Sequence, residues 1–297
     1  MTVAVIDLGT NTFHLLVASL SASQIKVVLR ERRFVKLGKD GIGSFSEETL
    51  ARAKDCLEFF KQKLSPFGDL SIRVIGTAAL RSSDNAYRVA EMVNKTFNSK
   101  LEIIDGDREA ELIYKGVCFA GHPNDQTNLI VDIGGGSVEF ILFKKENIVY
   151  QSSVNIGIGW MFHRFKHSDP IREEEIMELE YHLGQHLDNL QIALNAYRPE
   201  MMIGASGTFD LLFNQLSPGA ATDPIQKERL LIILNDYIYT TKKQREEDPS
   251  IPASRVDYVP LAFTMLRYFL QLNHSPEKIT YSPYALKEGV LSEILLA

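Results

Sequence analysis

Val3-Ala4-Val5-Ile6-Asp7-Leu8-Gly9-Thr10-Asn11-Thr12-Phe13-His14-Leu15-Leu16-Val17 is the stretch on which the fold turns. A short β-rich run, Val3 to Ile6, enters the tight polar turn Asp7 to Thr12 and leaves it through a second apolar run, Phe13 to Val17, which is the pattern of a β-hairpin. The pattern recurs as Leu129 to Val131, Asp132-Ile133-Gly134-Gly135-Gly136-Ser137 and Val138 to Phe143. A single offset of 125 residues carries Asp7 onto Asp132, Gly9 onto Gly134 and Thr12 onto Ser137. A repeat of that length has the size of a domain, not of a solenoid unit.

Outward from the hairpins the two copies run in parallel. Each predicts a third strand (24–33 and 148–156), then a helix opened by Ser46-Glu47-Glu48 in one and Pro170-Ile171-Arg172-Glu173 in the other. A buried strand follows, Ser71 to Ile75 ending at Gly76-Thr77, and Met201 to Ile203 ending at Gly204-Ala205-Ser206-Gly207-Thr208. Helix, strand and helix complete each copy: 83–97, 101–105 and 107–119, then 225–270 as two helices, 278–282 and 284–296. The order is βββαβαβα, twice. Gly121 to Asn128 is polar and turn-rich and reads as the linker, giving domains 1–123 and 124–297. Two α/β domains with turns at equivalent strand ends predict an interdomain cleft, the usual ligand site of such folds.

A chain of 297 residues suits two domains of about 150. With 45% apolar and 24% charged residues it is globular, not fibrous or disordered. A formal charge of −6 argues against a general nucleic-acid binder. Cys56 and Cys118 lack CxxC spacing, which suits a reducing cytosol; both are expected in amphipathic helices as small core residues. No apolar run reaches 18 residues and no signal sequence precedes the first strand, so a cytoplasmic location without membrane attachment is expected.

Gly134, Gly135 and Gly136, with Ser137, remove every Cβ that would crowd an anion and let backbone N–H groups approach phosphate. The first copy, Gly9, Thr10, Asn11 and Thr12, substitutes hydroxyls and an amide that also donate to phosphate oxygens. Asp132 and Glu139 stand across a hairpin turn, where their carboxylates can hold Mg²⁺ with waters and phosphate oxygens, and Asp7 can join them; alternatively Glu139 lies on an exposed strand face. Arg81, just past a buried strand, is either a bidentate phosphoryl clamp or a helix-start salt bridge. Asp105-Gly106-Asp107-Arg108-Glu109-Ala110-Glu111 by itself reads as helix capping and dipole compensation. Six cations against one anion between Lys26 and Lys39 either guide a polyanion or cover a solvated strand. His182 and His186 have helical metal-ligand spacing but no third ligand, and read as surface decoration. No Walker A loop, GxGxxG or GxSxG is present.

Together Asp7 to His14, Gly76-Thr77-Ala78-Ala79-Leu80-Arg81, Asp105 to Ile113, Val131 to Glu139, Gly204 to Thr208 and Ala285 to Val290 resemble the exopolyphosphatase and guanosine pentaphosphate phosphatase family. The resemblance runs from residue 3 to 295 and implies a duplicated ribonuclease H-like α/β fold, that of actin, sugar kinases and heat-shock chaperones. It implies hydrolysis of the terminal phosphoanhydride of inorganic polyphosphate, with guanosine pentaphosphate as the alternative substrate. A non-catalytic alarmone or polyphosphate sensor and a kinase of the same fold are the readings from other classes. By the resemblance, Glu109 is the glutamate that orients the attacking water, Arg81 faces the substrate phosphates, and Asp132 and Glu139 are metal-associated carboxylates for Mg²⁺ or Mn²⁺. Gly9 to Thr12 and Gly134 to Ser137 are the phosphate hairpins, and Gly204, Ser206 and Gly207 belong to a further loop of the site. A homodimer is implied, and helix 284–297 is expected to pack back on the first domain. Longer relatives carry extra C-terminal helical domains, which 297 residues are not expected to accommodate; the chain departs from the pattern in reading Ser282-Pro283-Tyr284-Ala285-Leu286-Lys287-Glu288-Gly289 where relatives often have two further glycines and an arginine, and in placing Glu111 where relatives often have arginine.

Overall fold

The computed structural model describes residues 1–21, 24–39, 43–122, 125–216 and 223–296 and divides the chain into two compact units. Unit one is Met1–Phe119 together with Tyr284–Ala297; unit two is Ala120–Pro283. The sequence-based boundary at 123/124 itself lies outside the described residues, and the second unit stops at Pro283 instead of running to 297.

The first unit runs β1 (Thr2–Leu8), β2 (Thr12–Ser21), β3 (Gln24–Phe34), α1 (Glu47–Leu64), β4 (Ser71–Gly76), α2 (Ala78–Ser82), α3 (Ala86–Phe97), β5 (Leu101–Ile103) and α4 (Gly106–Phe119). The second runs β6 (Thr127–Ile133), β7 (Val138–Lys144), β8 (Asn147–Val154), α5 (Ile158–Arg164), α6 (Glu173–Gly184), α7 (Asp188–Tyr197), β9 (Met201–Ala205), α8 (Ser206–Leu216), β10 (Ile225–Gln226), α9 (Lys227–Ile238), α10 (Lys242–Glu247), α11 (Val259–Gln271) and β11 (Lys278–Tyr281). The chain then returns to the first unit as α12 (Leu286–Leu296).

The sheets carry the duplication. Among the described residues their orders are β3-β2-β1-β4-β5 and β10-β11-β9-β6-β7-β8. In each an antiparallel meander supplies three strands, and the next strand lies parallel to the first of them, β4 on β1 and β9 on β6. Both units therefore have the topology of the duplicated ribonuclease H-like α/β fold. The second departs from the expected βββαβαβα by adding α5, α7, α8, α10 and the short edge strand β10. The first turn of α5 is built on Gly157 and Gly159, poor helix formers, and rests on backbone bonds from another loop, so no local periodicity announces it.

In the first unit one face of the sheet, Ala4, Ile6, Leu8, Phe13, Leu15 and Val17, buries against α1 and α3 through Leu50, Leu57, Phe60, Val89 and Val93. Helix α12 lies on α4, β1 and β2. The two helices meet at glycine: a Cβ on Gly116 would stand 2.0 Å from the Ala285 carbonyl oxygen, and one on Gly289 1.8 Å from that of Leu112. At the other end of the seam Arg108 and Lys115 bind both Glu111 and Glu293. Lys115 first and Arg108 second hold the Glu111 carboxyl below its ordinary value; for Glu293 burial opposes the same two cations and is outweighed. Glu288, buried, accepts from the Ala285 amide at 3.0 Å, capping its own helix, and from Arg30 at 2.7 Å.

Cys56 is buried on α1, and desolvation pushes its thiol up to about 12. Cys118, on α4, is only half-buried, short of the core position expected for it. His182 is not surface decoration. It is buried, its ring stacked on Trp160 at 5.5 Å and tilted against His186 at 4.5 Å. No described helix is long and apolar enough to cross a membrane.

Candidate functional site

In the second unit, β6 and β7 are joined by Gly134 to Ser137, closed by the Gly134 amide on the Ser137 carbonyl at 3.0 Å. The carbonyls of Gly134, Gly135 and Gly136 all point one way. Gly134 O accepts from Ile158 N, Gly135 O from Gly159 N and Trp160 N, and Gly136 O from Gly157 N, at 2.8–3.2 Å. In a planar trans peptide the following N–H points opposite to the carbonyl. The amides of Gly135, Gly136 and Ser137 are therefore aimed away from α5, a fan of donors suited to an anion. Gly157 permits this arrangement, since a Cβ there would fall 2.4 Å from the Gly136 carbonyl carbon and 2.5 Å from Ser137 N.

The first unit repeats the device. The Gly9 amide closes its turn on the Thr12 carbonyl at 3.1 Å, and a Cβ on Gly9 would stand 2.9 Å from that oxygen. Asn11 O accepts from Val35 N and Lys36 N, and Thr10 O from Gly38 N, so the amides of Asn11 and Thr12 face away from that segment. Thr10 Oγ1 is buried and has no protein partner, an orphaned hydroxyl inside the proposed anion turn. Asp7, at the end of β1, stands opposite His14 on β2.

Asp132 and Glu139 are direct cross-strand partners on β6 and β7, so their side chains share one face of the sheet. They are 5% and 1% exposed, which removes the exposed-face reading of Glu139. Two like charges set opposite each other and out of water need compensation by donors or a cation. Ser153 on β8 donates to Glu139 Oε1 at 2.7 Å. Two hard carboxylates suit Mg²⁺, which commonly takes one or two such ligands and fills its remaining positions with water and phosphate oxygen. Among the described residues no three His, Cys, Asp or Glu side chains gather as a metal cluster. The Asp132–Glu139 pair is the two-carboxylate arrangement in this unit whose chemistry suits such a cation.

Glu109 lies in the first turn of α4 and is buried. Asp105 caps that turn by accepting from Arg108 N at 2.8 Å, as the capping reading requires, and so fixes where Glu109 projects. Arg81, carried on α2 beyond the end of β4, donates through Nη1 to the Ile104 carbonyl at 2.8 Å and to Glu109 Oε2 at 3.0 Å. The structure thus brings Arg81 and Glu109 together as an ion pair.

The Gly204–Thr208 loop divides by role. The space of the missing Gly204 Cβ is filled by the Phe209 ring, 1.9 Å from where it would stand, so this glycine serves packing. Ser206 turns strand into helix at φ +64°, a left-handed conformation uncommon outside glycine. Gly207 receives Arg255, whose Nη1 donates to the Gly207 carbonyl and whose Nη2 lies 3.8 Å from Asp210. Arg255 sits in no motif that the sequence offers, and only the fold reveals its place. Of the basic strip, Arg30 binds Glu288 and Lys39 binds Glu48, the Arg33 guanidinium lies 3.8 Å above the Phe59 ring, and the strip's one anion, Glu31, pairs with Lys63 of α1.

Comparison with known proteins bears on the fold and the family. The chain is 35% identical to a crystal structure described as an exopolyphosphatase from Cytophaga hutchinsonii, with a TM-score of 0.92, covering 99% of this chain and 98% of that one. A crystal structure of the Ppx/GppA family member of Aquifex aeolicus shares the fold at 21% identity and a TM-score of 0.80, covering 100% of this chain and 98% of that one. A guanosine-5'-triphosphate,3'-diphosphate pyrophosphatase of Aeromonas hydrophila is 27% identical over 297 residues, 98% of this chain but 59% of that longer protein. The sequence model of the Ppx/GppA phosphatase family matches residues 16–297, and the chain belongs to that family.

Proposed function

We propose that the protein is an exopolyphosphatase, hydrolysing the terminal phosphoanhydride of inorganic polyphosphate to orthophosphate and a chain one unit shorter. The end-to-end match to the Cytophaga hutchinsonii exopolyphosphatase carries this reading. The guanosine pyrophosphatase relatives are longer proteins of which this chain spans 59%, which ranks that substrate second.

In the reaction a water oxygen bonds to the terminal phosphorus while the bridging P–O bond breaks, and the bridging oxygen leaves on the shortened chain. Glu109 accepts the water's proton; its burial and its fixed position in the first turn of α4 suit a base that must be oriented before the substrate arrives. Arg81 supplies positive charge beside that base and, by releasing Glu109, to the terminal phosphoryl oxygens. Within the second unit the amides of Gly135, Gly136 and Ser137 are suited to bind phosphate oxygens, as within the first unit are those of Asn11 and Thr12. Ser206 and Gly207, backed by Arg255, extend the set. Asp132 and Glu139 would hold Mg²⁺ or Mn²⁺, which when bound supplies charge neutralisation on the phosphate chain.

Phosphate release from long polyphosphate, tripolyphosphate and guanosine pentaphosphate, compared at equal enzyme with Mg²⁺ or Mn²⁺, tests the reading. The expected result is fastest release from polyphosphate, abolished by Glu109→Gln with binding retained. Binding without release would favour a sensor, and release only from the nucleotide would reverse the ranking. The reading also carries a cytoplasmic homodimer, checked by light scattering on the purified protein.

A further inference from the structure

The sequence draws attention to Asp132 and Glu139, whereas the sheet register adds a third member to their row. Glu139 is paired with Asp132 on one side and with Ser153 on the other, across β6, β7 and β8. All three side chains therefore lie on one face. Ser153 belongs to no motif, and its hydroxyl donates to Glu139 Oε1 at 2.7 Å, a charge-assisted bond by its length and acceptor. Glu139 is 1% exposed, so bulk water does not compete with that donor.

A glutamate side chain reaches its carboxylate through several rotatable bonds. In a buried position, a hydrogen bond to one oxygen fixes the rotation of the group and commits the two oxygens to different tasks. We propose that Ser153 is a positioning residue for the divalent cation: by binding Oε1 it holds the Glu139 carboxylate in the orientation that, with Asp132 opposite, binds the metal. The inference rests on Asp132 and Glu139 being the cation's ligands. Hydrogen-bond partners of ligating carboxylates commonly alter metal affinity by about 10- to 100-fold when removed.

Ser152 provides an internal control. Strand alternation puts it on the opposite face, where its hydroxyl accepts from Tyr150 Oη at 3.0 Å, so Ser152→Ala deletes the same atom on the same strand without touching Glu139.

The test is Mn²⁺ binding to the full-length protein without substrate, followed by electron paramagnetic resonance, together with the Mn²⁺ concentration giving half-maximal phosphate release. Ser153→Ala should weaken Mn²⁺ binding about ten-fold or more and raise the half-maximal concentration in step, while kcat at saturating Mn²⁺ changes far less. Ser153→Thr, which keeps the hydroxyl, should restore affinity, and Ser152→Ala should leave it unchanged. Thermal melts without metal establish that each variant is folded. If the unmutated protein binds Mn²⁺ and Ser153→Ala binds it equally well, the positioning role is overturned while the metal site stands. Failure of Ser153→Thr to rescue, or an equal loss in Ser152→Ala, overturns it too. If the unmutated protein binds no Mn²⁺ although it releases phosphate, the ligand reading falls first and this inference with it.

Discussion

Replacing Gly289 by alanine adds one carbon at the tightest point of the α4–α12 seam. That carbon would stand 1.8 Å from the Leu112 carbonyl oxygen and 2.7 Å from the carbonyl carbon, whereas carbon–oxygen contacts close at about 3.3 Å. The helices must therefore part by about 1.5 Å locally. The obstacle is backbone, so no side-chain rotation relieves it. Overpacking of this kind costs about 1–3 kcal/mol, and the upper end applies here. Alanine returns about 1 kcal/mol through helix propensity, leaving a net loss of about 2 kcal/mol. For a unit of this size that is a fall of roughly 5–10 °C in melting temperature. The chain has one tryptophan, Trp160, and it lies in the second unit, so its emission follows that unit while far-ultraviolet circular dichroism follows both. We expect the dichroism melt of Gly289→Ala to begin earlier while the Trp160 transition moves little. Gly43→Ala, whose Cβ would meet nothing within 4 Å, should be neutral or slightly stabilising. A melting temperature for Gly289→Ala equal to or above that of the unmutated protein would show that the helices yield freely, and would refute the argument.

Glu109→Gln should lower kcat for polyphosphate by about 10²- to 10⁴-fold, with binding measured by calorimetry largely kept; parallel loss of both would reject the base assignment. Gly157→Ala should displace the Gly134–Ser137 turn and raise KM for polyphosphate, read by steady-state phosphate release, while the dichroism spectrum stays that of the folded protein. Glu175 tests the pH dependence: burial would raise its carboxyl, but donors from Arg172 and Ser168 outweigh burial and hold it at about 2, against 4.5 for the free group. Its stabilisation is therefore full above about 4.5 and disappears as pH falls toward 2. Glu175→Gln should accordingly differ in urea midpoint from the unmutated protein at pH 7 and converge with it in the acid range.

The duplication was legible because a hairpin needs only local information: apolar alternation on either side of a turn that glycine or small polar residues allow. Asp7, Gly9 and Thr12 correspond to Asp132, Gly134 and Ser137 in number, and the two glycines correspond in packing too, each held against the carbonyl three residues on. Glu109 is different. Its sequence supports nothing beyond a helix cap, and the family resemblance, not the local pattern, singled it out. Ser153 and Arg255 were invisible because their significance comes from register and long-range contact, 14 residues from Glu139 and 48 from Gly207. Helix α5 was missed for a related reason: its first amides are satisfied by another turn's carbonyls, not by a capping side chain. His182 was misread because spacing shows which helical face a residue occupies and not whether Trp160 covers it.

The return of the chain at Tyr284 gives the molecule an order of assembly. As synthesis proceeds from the amino end, residues 120–283 can reach their native arrangement while residues 1–119 still await α12. A ribosome that stalls before Tyr284 would leave the α4 groove formed by Leu112 and Gly116 open, an adhesive edge on the first unit. Helix α12 thus seals a unit whose other elements all precede residue 120.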